Sequence, residues 1–224
     1  MSLIIPANTL ASGGYAVDNS LRFNDGSQDS LQRSPSSASN RRTWTFSAWI
    51  KRGQLGTGQY IFVGGTANTW VAFTSGDKLQ FNIQDNDEST LVTNQVFRDV
   101  SAWYHIVVAI DTTQGTASNR VKMYVNGNQV TSFSTSYENS PTYPSLNYQT
   151  GINNTGAHYI GRLNYVATAW FDGYMSEVCF IDGQQLAPTD FGEFDEDSGI
   201  WKPIDVSGLT FGDNGFYLDF ENSG

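Results

Sequence analysis

Apolar and polar positions alternate along most of this chain, and the clearest case runs from Trp103 to Val130. Trp103, His105, Val107, Ala109 and Asp111 fall on one face of an extended segment, and Tyr104, Ile106, Val108 and Ile110 on the other. The middle is apolar on both faces, which predicts a central strand covered on each side. After a polar loop, Val121, Met123 and Val125 alternate with Arg120, Lys122 and Tyr124, the pattern of a half-exposed strand. Asn126-Gly127 follows at once and predicts a tight hairpin, because both turn positions need φ > 0.

The same period recurs elsewhere. Trp44, Phe46, Ala48 and Ile50 mark a core face, and Thr45, Ser47, Trp49 and Lys51 a polar face with a single aromatic. Residues 59–63, 70–73 and 79–83 predict three short strands at roughly ten-residue spacing, and 90–96 a fourth, which is the rhythm of a sandwich. Leu21 to Phe23, 157–161, 169–183 and 215–220 read as further strands, and 24–42 as loop. Gln184 to Phe191 suggests a helical turn. Residues 134–156 form the longest irregular stretch, a length that in compact domains points to function or disorder. No helix of three turns, heptad or fixed repeat is found. The expected class is all-β, with an arm (1–20), a sandwich domain (21–190) and an acidic tail (191–224) whose last strand returns to the sandwich.

Composition narrows the function. The 224 residues include 22 glycines, 14% aromatics and only 15% charged residues, as in sandwiches and unlike disordered chains. Net charge is −10, and Asp190 onward carries nine acidic residues against Lys202 alone. Such a balance repels phosphate backbones, so nucleic acid is not an expected partner. No apolar run reaches the ~20 residues of a membrane span, so no membrane insertion is expected. The opening residues lack a basic stretch before the Leu3-Ile4-Ile5 patch, which makes a poor secretory signal. That patch, ending at Pro6, reads either as a flexible leader or as a docking or oligomerisation arm that adds to a neighbouring sheet. Cys179 has no partner cysteine and reads as a buried thiol.

Five pieces in order, WTFSAWIK from Trp44, WYHIVV from Trp103, MYVNG from Met123, YIG from Tyr159 and FDGYMSEV from Phe171, resemble the laminin-G-like, concanavalin-A-like jelly-roll superfamily. The resemblance covers about residues 21–191. It implies two antiparallel sheets packed face to face, with the terminal strands adjacent and Leu21–Phe23 paired with 216–220. More narrowly, IPANTLASGGYAVDNSLRF, RTWTFSAWIKRG and the ending FGEFDEDSGIWKPIDVSG resemble virion proteins of marine tailed bacteriophages. This implies a fibre, spike or capsid-decoration protein on the virion surface, assembled in the host cytoplasm. Its partners would be other virion proteins, further copies of itself (a homotrimer if a fibre piece) and host-surface glycan.

Three sets of residues are candidates for chemistry. Glu193, Asp195 and Asp197 alternate as the carboxylates of related jelly-roll glucanases do, but with Asp at the acid position and in a loop-like context. A solvated acidic loop and no enzyme are therefore expected, with a polysaccharide depolymerase as the alternative. Calcium is the one cofactor the superfamily brings into consideration, near Asp85, Asp87 and Glu177, although Ser176 stands where the family often has aspartate. For glycan binding the candidates are Trp70 beside Asn68, Trp170 beside Asp172, and the loop tyrosines 137, 143 and 148. Each has a plainer reading as sandwich packing or loop anchoring. His105 is expected to be a hydrogen-bonded core residue.

Overall fold

The computed structural model describes residues 15–65, 69–163 and 169–221. One sheet of seven strands contains β1 (Leu21–Phe23), β3 (Thr43–Arg52), β8 (Tyr104–Asp111), β9 (Val121–Val125), β10 (Asn128–Gln129), β12 (Gly173–Asp182) and β15 (Phe216–Leu218). The facing sheet of six contains β2 (Leu31–Arg33), β4 (Gln59–Gly64), β5 (Thr69–Phe73), β6 (Lys78–Ile83), β7 (Ser89–Val96) and β11 (His158–Ile160). A two-stranded hairpin, β13 (Gly192–Phe194) and β14 (Trp201–Pro203), stands apart. Every pairing is antiparallel, as the alternating pattern and short connections require.

The core lies between the sheets. Trp44, Phe46, Ala48 and Ile50 of β3 are fully buried on it, facing Phe62, Phe73 and Phe81 of the other sheet. Phe46 stacks flat on Phe62 with ring centroids 4.6 Å apart, so these two rings bridge the layers. An aromatic pair adds about 1 kcal/mol beyond the area it buries. The Trp103–Val130 stretch folds as its pattern indicates: Ile106, Val108 and Ile110 face the main core, and Asn126 and Gly127 take φ of +46° and +77° to turn β9 into β10.

Several expectations need correction. The supposedly polar face of β3 is also covered: Thr45 and Ser47 are buried. A second apolar cluster of Val107, Cys179, Ile181, Phe191 and Val206 lies on that side, with Leu186 and Phe211 packed against it. The acidic C-terminal segment thus hides apolar positions that pack on the outer face of the seven-stranded sheet. The region 24–42 is not all loop, since Leu31–Arg33 pairs with β11; with one apolar residue in three, it carries too little pattern to show itself. The strand expected over 169–183 begins at Gly173.

Leu21–Phe23 does not pair with β15. Both short strands pair with the same edge of β12, β1 with Gly173–Met175 and β15 with Val178–Phe180. A bulge between them sets Glu177 at φ +51°, and this break in β12's ladder lets two three-residue strands share one edge end to end.

The long 134–156 region is neither free nor at the centre of a site. Ser134 and Thr142 hydrogen-bond to Val92 and Thr90 of β7, while Phe133, Tyr143 and Tyr148 pack on the core. The loop closes one flank of the sandwich.

Candidate functional site

The C-terminal segment leaves part of the seven-stranded sheet's outer face uncovered, and a cleft of about 290 Å³ remains there. Trp49 of β3 and Trp103, just before β8, supply its aromatic walls. Asp18, Asn19, Ser20 and Ser176 supply hydroxyl, amide and carboxylate groups, and Val17 and Pro203 complete the rim.

Register explains how Trp49 is held. Ser176, Trp49 and His105 are direct cross-strand neighbours on β12, β3 and β8. The Trp49 ring stacks on His105 at 5.0 Å, and the ring of Trp201, from the outlying hairpin, lies 5.9 Å from the imidazole with the two planes 23° apart. Trp201 donates its indole N–H to His105 Nδ1 at 2.9 Å. An indole nitrogen only donates, so Nδ1 carries the lone pair and the proton sits on Nε2, which donates to Ser47 Oγ at 2.8 Å. Burial pushes the His105 imidazole down to about 3. It is a neutral spacer between two tryptophans, a core histidine and not an acid or base.

The other wall is the segment 15–20, tied down at two points. Ser176 Oγ donates to Asn19 O at 2.5 Å, and Tyr15 and Tyr217 both donate to Glu177 Oε2, at 2.8 and 2.6 Å. Burial, followed by these carboxylate contacts, raises the Tyr217 phenol far above its ordinary value. Both phenols stay protonated and the wall stays latched.

The structure distributes the sequence candidates over other places. Trp70 is buried on the outer face of the six-stranded sheet, with Tyr60 edge-on to its ring at 5.7 Å. Trp170 lies on the same side, where the Arg162 guanidinium is 4.8 Å from its ring and 4.6 Å from that of Tyr159. Asp172 binds Arg22 through both oxygens, at 3.2 and 3.0 Å. Tyr137 donates to Thr74 and Tyr148 to Asp85, while the ring of Tyr143 meets Phe133 edge-on. Asn68 and the Leu3-Ile4-Ile5 patch lie outside the described residues.

The calcium candidates do not converge. Asp85 and Asp87 sit in the 3-10 turn between β6 and β7, whereas Glu177 belongs to the other sheet, where two phenols use its carboxylate. Among the described residues, no group of three His, Cys, Asp or Glu side chains is placed to hold a metal ion. Among the described residues, these candidates do not fit the superfamily's calcium.

Glu193 and Asp195 are at the exposed hairpin, Glu193 on β13 and Asp195 just beyond it, and both bind Lys202 Nζ, at 3.3 and 3.1 Å. Hydrogen bonds from the Ser198 backbone, Lys202 and the Ser198 hydroxyl hold the Asp195 carboxyl far below the usual carboxylate range. The Asp195 carboxylate is thus engaged in the hairpin's own hydrogen bonding. Asp197 is exposed on the turn.

Sequence reading missed Trp49, Trp103 and the segment 17–20. One signal was present: Trp49 is the single aromatic on the otherwise polar side of β3.

Residues 25–184 match the family described as the concanavalin A-like lectin/glucanases superfamily, of laminin-G type. No curated protein matches the chain by sequence. Among solved structures, domain 4 of an extracellular arabinanase from Geobacillus stearothermophilus, in complex with arabinotriose, is 17% identical with a TM-score of 0.52, over 78% of this chain and 77% of that one. Mouse laminin alpha1 domains LG4-5 are 14% identical with a TM-score of 0.51, over 92% of this chain and 49% of theirs. The chain thus spans about half the length of the laminin fragment. These likenesses concern the fold. With the family match covering well over half its length, the chain belongs to the concanavalin A-like lectin/glucanases superfamily.

Proposed function

We propose that this chain is a non-catalytic glycan-recognition domain on a bacteriophage particle, and that the Trp49–Trp103 cleft receives the glycan. The observation that carries this reading is the composition of that cleft. Two indole rings offer flat apolar surface to the C–H face of a pyranose, and Asn19, Ser20, Ser176 and Asp18 offer partners for its hydroxyls. A volume near the lower end for small-molecule sites suits the end of a glycan better than the middle of a long chain. The Tyr15–Glu177 latch, the Trp49–His105 stack and the Trp201–His105 hydrogen bond support a rigid site, which lowers the entropy lost on binding. The acidic hairpin, with both Glu193 and Asp195 engaged by Lys202, supports binding without hydrolysis.

The phage setting rests on the resemblance of the opening, Arg42–Gly53 and closing stretches to phage virion proteins. Further virion proteins and further copies of the chain are its proposed partners there.

The test is a glycan array followed by calorimetry on hits, with Trp103→Ala beside the unmodified protein. Trp103 is half-buried outside the strands, so the variant should fold. The expected result is at least a tenfold loss of affinity at unchanged melting temperature. Equal binding by Trp103→Ala would overturn the site. No array hit for the assembled protein would leave a purely structural virion role. Release of reducing sugar that Glu193→Gln abolishes would instead make the chain a depolymerase.

A further inference from the structure

The charges around the Trp49–Trp103 cleft leave an excess of one sign. Asp18 is the only charged side chain in the described lining, and among the described residues no cation pairs with it. The basic residues on the neighbouring strands and hairpin are engaged elsewhere. Arg22, two positions after Ser20, gives its guanidinium to both carboxylate oxygens of Asp172. Lys51, two positions beyond Trp49 on β3, is in electrostatic reach of Asp99. Lys202, next to Pro203, binds Glu193 and Asp195. Glu177 and Asp205 add negative charge on the Tyr15 side of the wall. The segments outside the described residues, 1–14, 66–68, 164–168 and 222–224, contain no charged side chain to offset it.

Hydrogen-bond polarity agrees with the charge. Ser176 spends its hydroxyl proton on Asn19 O, so its Oγ can only accept from a ligand, and the Asp18 carboxylate likewise only accepts. The Ser20 hydroxyl and the Asn19 amide can serve either way. We propose, resting on the reading of this cleft as the glycan site, that Asp18 sets its specificity. The cleft takes a glycan end that presents donors, a free amino group above hydroxyls alone, and turns away an end that carries a carboxylate. A protonated amino sugar brings several N–H donors and a positive charge to Asp18, the stronger, charge-assisted kind of hydrogen bond. A carboxylated sugar brings a like charge and acceptors that meet other acceptors. At an exposed site such a pair changes affinity by about two- to fivefold.

The test uses an array of matched glycans, each set differing only in whether one position of the terminal sugar carries a free amino group, a hydroxyl or a carboxylate. The full chain is read beside Asp18→Asn, Asp18→Lys and Trp103→Ala. Asp18 is exposed, so its variants should melt as the unmodified protein does. The unmodified protein should favour amino over neutral and neutral over acidic ends, about two- to fivefold at each step, with the differences shrinking as added salt screens them. Asp18→Asn should level amino and neutral ends, and Asp18→Lys should put acidic ends first. Trp103→Ala should weaken all three alike. If Asp18→Asn keeps the original order while Trp103→Ala still loses affinity, the cleft stands and the role of Asp18 falls. Acidic ends bound best by the unmodified protein would overturn that role as well. Equal binding by Trp103→Ala, or no binding to any set, would remove the cleft and the role of Asp18 together.

Discussion

Trp201 donates its indole N–H to Nδ1 of His105 at 2.9 Å, so a residue of the acidic C-terminal segment fixes the tautomer of the central strand's only histidine. The contact joins the outlying hairpin to the sheet and, through the stacked imidazole, to Trp49 in the cleft. Replacing Trp201 by Phe keeps a ring but leaves Nδ1 a buried acceptor with no donor. Chemical denaturation should show a loss of about 1–3 kcal/mol, and a loss no larger than a few tenths would mean that the bond is immaterial.

His105 also sets a pH dependence. Its folded-state imidazole is held down to about 3 by burial, whereas the unfolded chain protonates near 6.5. The unfolded state therefore binds more protons between these values. Stability is fully present above about pH 6.5 and declines as pH falls, by about 1.4 kcal/mol per unit from this residue. His158, lowered chiefly by burial, contributes with the same sign. Denaturation at pH 7.0 and 4.5 should show His105→Gln losing about 2.5 kcal/mol less than the unmodified protein over that interval. Identical losses would refute the assignment.

Gly127 lies under the same indole. It has φ +77°, and a Cβ there would stand 2.4 Å from a Trp201 ring carbon. Gly127→Ala combines a strained backbone with overpacking and should cost about 2 kcal/mol or more. Pairing it with Trp201→Ala should recover part of that cost, which a double-mutant cycle measures.

At the far end of β3, Arg52 is wholly buried with its guanidinium 3.1 Å from Asp77, which also binds Arg98 and the Gly56 N–H. Although burial opposes ionisation, these donors hold the Asp77 carboxyl below its ordinary value. Asp77→Ala strands a buried cation and should cost about 3–5 kcal/mol, read as a shift in denaturation midpoint. Arg98→Ala, removing a largely exposed partner, should cost less than 1 kcal/mol.

The sandwich was legible because alternation is strong where one face is buried: Trp44 to Ile50 and Ile106 to Ile110 declare both period and core. Leu31–Arg33 was not, since a three-residue edge strand is specified by its partner and hardly by itself. The covered outer face was hidden for a different reason. Phe191, Trp201, Val206 and Phe211 are scattered among acidic and turn residues without a period, so the segment reads as solvated tail although Phe191, Val206 and Phe211 join the cluster of Val107 and Ile181 and Trp201 reaches His105. The cleft was missed because its tryptophans lie 54 positions apart and only cross-strand register and the 15–20 segment bring them to one place. Trp70 and the loop tyrosines attracted notice as aromatics among polar neighbours, a pattern that buried anchors and ligand platforms share.

The shared edge of β12 has one more consequence. Because β1 and β15 lie end to end along it, the polypeptide arrives at and departs from the domain at neighbouring points of one strand. A domain so arranged can be spliced into a surface loop of a larger host protein without prying that loop apart. Its Trp49–Trp103 cleft, walled by residues 17–20 and Ser176, would then sit beside the two tethers, so that the host surface next to them shapes access to it.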